Sequence, residues 1–381
     1  MGIVLLQTNE LPDAVSTHPE MLGVNAITSR VIYEFERSIE KKPRGPKMIR
    51  EEIPLKVRVS LGSAILLNLI KGELDAAPTT IYLLTYHQEK CTANCSFCSQ
   101  ARSSASRADM LSRVTWPTFS SVNVLKGIEN SGEGLIRRVC IQTMNYAGMF
   151  GEVLGLVRRI HHRTGIPISV SSQPLTPQQI EELKEAGIDR IGIPLDAPTE
   201  RLFENVKGSA AKGPYRWRNH LNALKSAVQI LGRGRVTTHF IVGLGESDEE
   251  LLSMVQRVVA MGVYPALFAF TPIEGTKLEG RRQPEVERYR RIQTGHYLIT
   301  KGKAGVEDIV FDSKGFIRSF NVERGLLVEA VEGGIPFMTC GCPDCNRPYY
   351  NERVGGPLYN IPRTLRAKEI AEIKTLIFGD G

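Results

Sequence analysis

Six of the seven cysteines fall into two tight sets, and thiols at such spacing are there to bind metal. Cys91, Cys95 and Cys98 stand in HQEKCTANCSFCSQAR, a C-x3-C-x2-C triplet directly after the apolar run Thr79–Tyr86. Cys340, Cys342 and Cys345 form a C-x-C-x2-C triplet in PFMTCGCPDCNRPYYNE. Structural zinc takes four ligands, usually from paired C-x2-C or Cys/His units. Neither triplet has a fourth cysteine beside it, and the chain has no histidine after His296. Three thiolates instead suit a [4Fe–4S] cube in which one iron is left open, and an open iron can bind a small molecule. The first triplet therefore reads as a reaction centre rather than an electron wire, which usually has four cysteine ligands. Phe97, directly before Cys98, offers an aromatic face to a flat ring. For the second triplet a second iron–sulfur cluster is the favoured reading and half of a zinc knuckle the alternative. Its fourth iron is then held by a residue other than cysteine or by sulfide.

The first triplet, following a strand, resembles the signature of the radical S-adenosylmethionine (SAM) enzymes. The resemblance implies that the open iron chelates the amino and carboxylate groups of SAM, with Phe97 near the adenine. It also implies that the reduced cluster cleaves SAM to methionine and a 5′-deoxyadenosyl radical. Further strings resemble biotin synthases. HFIVGLGES, from His239 to Ser247, is similar to the segment that passes beside the adenine there, which makes Gly243 and Gly245 candidate SAM contacts. RIGIPLDAPTE is similar to their fourth-strand segment and matches Asp196 to the aspartate that touches the SAM ribose. Arg218, in YRWRNHLNAL, resembles the arginine that pairs with the SAM carboxylate, with Arg216 as the alternative. Cys140 matches the first of three strand cysteines that hold biotin synthase's sacrificial cluster, but Ser169 and Thr237 stand near the places of the other two. Cys140 is accordingly expected to be a buried small hydrophobe.

The elements that must position these residues begin after Pro78. Strands are expected near Thr79–Tyr86, Arg137–Gln142, Pro167–Ser172, Arg190–Leu195, Val236–Val242 and Tyr264–Phe270, with helices between them. Thr176-Pro177-x-Gln179 and Ser247-x-x-Glu250 are helix-start signals, and Gly187 is a stop signal. Alternating strands and helices imply right-handed parallel units. Six strands, with one or two more in 306–340, imply a complete or nearly complete TIM-like (β/α) barrel with its chemistry at the carboxyl ends of the strands. Residues 1–77 read as a mainly helical N-terminal extension, 78–335 as the barrel, and 336–381 as a C-terminal segment for the auxiliary cluster.

Composition bounds the rest. A chain of 381 residues, 42% hydrophobic, buries a full-size core. No run approaches the roughly 20 apolar residues of a membrane span, and the N-terminus lacks a secretory signal, so the expectation is a cytoplasmic protein off the membrane. Thiols in metal-ligating sets point to a reducing compartment and to oxygen sensitivity. The net charge of +7 is spread out. No basic run is interleaved with aromatics as nucleic-acid binding would ask; an acidic protein partner or an anionic cofactor suits it better.

With both triplets taken together, the chain is similar to one component of the two-protein lipoyl synthases of archaea and some bacteria. The likeness runs from SLGSAILL at Ser60 to GGPLYNIPR, whereas single-chain lipoyl synthase has its auxiliary triplet before the radical one. The resemblance implies two [4Fe–4S] clusters, SAM, and sulfur insertion at C6 or C8 of an octanoyl group on a carrier-domain lysine. The implied partners are an octanoylated carrier such as the glycine cleavage H protein and a second radical SAM component. A low-potential ferredoxin or flavodoxin is the expected electron donor. The alternative is a biotin synthase-like enzyme acting on a small molecule. Tyr349, Tyr350, Asn351 and Arg353 are expected either to line the barrel mouth or to pack as a cap.

Overall fold

In a computed structural model, the described residues are 53–132, 134–352 and 355–379. Residues 1–52 of the expected helical extension lie outside them, as does Arg353. The chain first forms β1 (Lys56–Val59) and α1 (Leu61–Leu66), whose N-cap Ser60 accepts a hydrogen bond from the Ser63 amide. The barrel proper begins with β2 (Thr80–Thr85), buried at every position. A small hairpin, β3 (Met110–Leu111) and β4 (Val114–Thr115), then leads to β5 (Thr118–Ser120) and α2 (Ser121–Glu129).

Regular alternation follows: β6 (Arg138–Gln142), α3 (Met149–Arg163), β7 (Ile168–Ser171), α4 (Pro177–Glu185), β8 (Arg190–Gly192), α5 (Glu200–Val206), α6 (Trp217–Leu231), β9 (Val236–Val242), α7 (Asp248–Ala260) and β10 (Val263–Ala269). Both capping boxes form as the sequence predicts, at Thr176 with Gln179 and at Ser247 with Glu250. Six strands, β2 and β6 to β10, pair in parallel and in chain order. The apolar runs that specify them carry residues such as Ile81, Leu83, Val139, Ile168 and Ile191, all fully buried against the surrounding helices. At the β2 side the sheet continues antiparallel through β1 and β5. Lys56–Val59, read from sequence as part of a helical lead-in, is therefore a strand of the main sheet.

The remaining elements are α8 (Val286–Thr300), β11 (Ile309–Phe311), β12 (Ile317–Phe320), α9 (Arg324–Gly333) and α10 (Ala367–Phe378). The strands expected in 306–340 exist but do not join the barrel. Gly315 and Asp312 close a tight turn at 2.9 Å that folds β11 back on β12, and the amide of Ile317 donates to Asp248 at 3.0 Å, which fixes the hairpin to α7. The barrel is thus a six-stranded parallel one with an antiparallel extension. Among the described residues no helix is long and apolar enough to cross a membrane.

Candidate active site: one lumen, two cysteine loops

A cavity of about 260 Å³ runs through the barrel. At the carboxyl ends of the strands it is bounded by Cys91, Cys95, Cys98 and Phe97; towards the amino ends, by Cys342 and Cys345. The two triplets, some 240 residues apart in sequence, so face each other along one lumen.

The first loop is held both by its own neighbours and by distant segments: the Thr92 amide donates to the Asn145 carbonyl at 2.8 Å and the Ser96 amide to the Val206 carbonyl at 2.7 Å. The amide of Cys91 donates to the Gln100 carbonyl at 3.0 Å and that of Cys98 to the Cys95 carbonyl at 3.1 Å. The Lys90 ammonium donates to the carbonyls of Ser99, Ser104 and Ser106 at 3.0, 2.6 and 2.7 Å, tying the loop from within. The Cys91 sulfur already accepts amide hydrogens from Asn145 at 3.1 Å and Ala93 at 3.5 Å, the kind of bond that stabilises a thiolate. Burial pushes the Cys98 thiol up to about 12 and that of Cys95 well above its usual range, so both keep their protons until a metal displaces them.

Asp196 borders the cavity with a left-handed backbone, φ 65°, rare outside glycine. It is 3% exposed, and Lys207, fully buried, donates to it at 2.6 Å while His239 Nε2 lies at 2.9 Å. Burial alone would raise this carboxyl; the Lys207 charge and His239 outweigh it and hold the group below the usual carboxylate range. Sequence reasoning missed Lys207, because nothing in ENVKGSAAKG marks a lysine that is buried by tertiary packing.

Other expected SAM contacts are placed differently. Gly243 and Gly245 do not line the cavity. Their amides, with that of Leu244, donate to the Glu246 carboxylate at 2.7, 3.0 and 2.9 Å, and Arg288 pairs with that same carboxylate at 3.0 Å. The loop is wrapped round its own acid, and Gly243, at φ 107°, lies where a Cβ would meet Pro284 and Phe270 at 3.1 and 3.2 Å. Ile241 and His239, on β9, are the lumen-facing residues of that string. Arg218 is exposed and does not border the cavity, because α6 turns Trp217, His220, Leu221 and Leu224 inward and leaves position 218 on the solvent face. Arg216 is exposed as well, its guanidinium donating to the Tyr215 carbonyl.

The second loop is held by side and main chains from several strands. Its Cys340 sulfur accepts the Leu267 amide of β10 at 3.1 Å. Tyr82 Oη of β2 meets Cys345 Sγ at 3.3 Å, and Ser169 Oγ of β7 meets Cys342 Sγ at 3.4 Å. Arg138 of β6 donates to the Pro343 carbonyl, and Asn346 Oδ1 accepts the Thr79 amide at 3.0 Å. Cys342 and Cys345 also border an outer cavity of about 360 Å³, where Cys340 faces Tyr264 and His296. Strand register puts Cys140 opposite both Tyr82 and Ser169. Cys140 is therefore not a remote core residue: it borders the lumen, and burial with the adjoining Cys342 and Cys345 thiols pushes its own thiol up. Of the tail, Tyr350 and Asn351 border the lumen, while Tyr349 bonds to Asp75.

Among the described residues no three His, Cys, Asp or Glu side chains converge as a single metal ion would require. Zinc draws its sulfurs to about 2.3 Å from one point. An iron–sulfur cube takes one thiol at each iron corner, so it suits thiols that stand apart round a cavity, as Cys91, Cys95 and Cys98 do.

Residues 85–258 match the radical SAM superfamily model. The match covers somewhat under half of the chain, from the end of β2 to α7. Among curated relatives, a biotin synthase of Persephonella marina is 27% identical over 207 residues, covering 53% of this chain and 57% of the relative. A biotin synthase of Prochlorococcus marinus is 24% identical over 237 residues, covering 59% and 66%. The chain thus spans less than two thirds of these relatives' length. A solved structure of methylornithine synthase aligns at TM-score 0.45 and 16% identity, over 58% of this chain and 62% of that one. Cys91, Cys95 and Cys98 lie within the matched stretch and border the lumen.

Proposed function

We propose that this radical SAM protein inserts sulfur at an unactivated C–H of an octanoyl chain, at C6 or C8, carried on a lysine of a lipoyl-carrier domain, with a second radical SAM protein as partner. The observation that supports this most is the shared lumen, with the radical triplet at one end and a second, three-cysteine loop at the other. When bound, SAM on the first cluster supplies the hydrogen-abstracting radical, and a second cluster supplies the sulfide that replaces the hydrogen.

The chain's own work is to position and to exclude water. Phe97 and Ile241 give apolar faces to the SAM end, and Asp196, held ionised by Lys207 and His239, is a fixed acceptor there for ribose hydroxyls. Tyr82 and Ser169 direct hydroxyls at the sulfurs of Cys345 and Cys342. Phe268 and Tyr350 pack edge to face at 5.7 Å on the lumen wall, keeping water from the reacting carbon. The electron donor in this reading is a low-potential ferredoxin or flavodoxin.

A second reading, supported by the biotin synthase relatives, is sulfur insertion into a free small molecule. One experiment separates them: anaerobic protein reconstituted with iron and sulfide receives SAM and dithionite with either an octanoyl-lysyl peptide or dethiobiotin. Deoxyadenosine with thiol mass on the peptide supports the lipoyl reading. Product from dethiobiotin alone favours the second, and about four irons per chain with no sulfur transfer sinks both.

A further inference from the structure

Arg347 is the cation the mechanism above leaves unused. It borders the lumen beside Cys345, with its guanidinium 3.9 Å above the Phe268 ring. Its Nη2 donates to the Cys340 carbonyl at 2.5 Å, and its backbone amide donates at 2.9 Å to Tyr82 Oη, the same hydroxyl that meets the Cys345 sulfur. Nε is buried with no partner at all. No Asp or Glu among the described residues pairs with it. Glu352, the acid whose charge it feels, instead accepts the amides of Asn351 and Asn360 at 3.0 and 2.9 Å.

Arg347 is half-buried, with its Nε out of water; a guanidinium in that position without a counter-ion is costly, and a ring face with one carbonyl offsets only part of that cost. What surrounds it instead is the second loop: Cys345 shares the lumen wall and the Tyr82 hydroxyl with it, and the Cys340 carbonyl accepts from its Nη2. Three thiolates on a four-iron core make an anion in its usual oxidation states, and net charge and hydrogen bonds to sulfur are what tune such a centre.

We propose that Arg347 is the built-in counter-charge of an iron–sulfur cluster held by Cys340, Cys342 and Cys345, retaining that cluster and raising its reduction potential. The inference rests on the second-cluster part of the reading above. Reduction adds one electron from the external donor and makes the cluster more anionic, so a neighbouring cation favours the reduced form. Removing the cation must therefore lower the potential.

The test uses the full chain, reconstituted anaerobically, as wild type, Arg347→Lys, Arg347→Gln and the triple variant Cys340→Ala/Cys342→Ala/Cys345→Ala. Iron and sulfide are counted, and an electron paramagnetic resonance titration is run, with the triple variant giving the first cluster's signal for subtraction. Circular dichroism checks the fold of each variant. The expected result is about eight irons in wild type. Arg347→Gln then shows either loss of roughly half the iron or a lower midpoint for the second signal, while Arg347→Lys stays near wild type. Wild-type iron and midpoint in Arg347→Gln overturn the inference. So does an equal change in Arg347→Lys and Arg347→Gln, since both variants lose the planar group but only one loses the charge. About four irons in wild type and triple variant alike would instead remove the second cluster itself.

Discussion

The two cysteine loops sit at opposite ends of one lumen and are held by different residues. The loop of Cys91 to Cys98 follows β2 directly; besides Lys90 and its own amides and carbonyls, Asn145, Val206, Ala211 and Leu278 hold it. The loop of Cys340 to Cys345 has few internal ties and is gripped by Thr79, Tyr82, Arg138, Ser169 and Leu267, residues of four strands and one strand approach. The two sets of supporting residues do not overlap, so changes in the two loops should have separable consequences.

The sharpest way to break that comparison is to remove one thiol from each. Cys91→Ala is expected to cut deoxyadenosine formation about a thousand-fold or more, to background, because the reacting centre goes with it; retained cleavage would contradict the assignment. Cys342→Ala is expected to keep deoxyadenosine formation while iron falls from about eight to about four per chain and thiolated product disappears. If both variants lose SAM cleavage equally, the loops are not separable and the contrast fails.

Asp196→Asn probes the support beneath the first loop. It strands the Lys207 ammonium, which is fully buried, and stranding a buried charge costs about 3–5 kcal/mol, measurable by denaturant titration. A loss below about 1 kcal/mol would mean that water reaches Lys207.

Acid tests both ends together. His220, bonded to Gln173 on the lumen wall, and His296, beneath the second loop, are kept neutral by burial, with their pKa values lowered from 6.5 to about 3 and about 4. The unfolded chain takes up protons at these positions from pH 6.5 downward and the folded chain does not. Their contribution to stability is therefore complete above pH 6.5 and is lost as pH falls through 4 and 3. Stability measured at pH 7 and at pH 5 should decline, and His296→Gln should flatten part of the slope. A flat profile in wild type would show that neither histidine is held neutral.

The smallest effect belongs to the glycine loop. Gly243→Ala forces a Cβ onto a residue at φ 107° and against Pro284 and Phe270, with an expected loss of about 1–2 kcal/mol. If SAM binding drops far more than stability does, the loop has a direct role at the site that its geometry does not suggest.

Much of the architecture was legible in the sequence. Val236–Val242 is a strand with the expected bounds, the other five parallel strands differ by a few residues, and both capping boxes form, because period-2 apolar runs and cap residues act locally. The misreadings came from contacts made at a distance. Lys56–Val59 became a strand because β2 and β5 offered their edges. Arg218 was turned outward because Trp217 and His220 claimed the inner face of α6. Gly243 and Gly245 were drawn round Glu246 rather than towards the lumen.

What the sequence determined by itself is the chemistry available: two sets of three thiols at spacings that fit iron, on an alternating strand and helix chain, since spacing and period are properties of neighbours. What only the tertiary structure decided is who meets whom. It brought Cys342 and Cys345 into the same lumen as Cys98, put Cys140 in the layer between Tyr82 and Ser169, buried Lys207 against Asp196 and left the Arg347 charge beside the second loop. Each of these depends on the curl of the sheet and on strand register, which join residues far apart in the chain and are set by the packing of the whole domain.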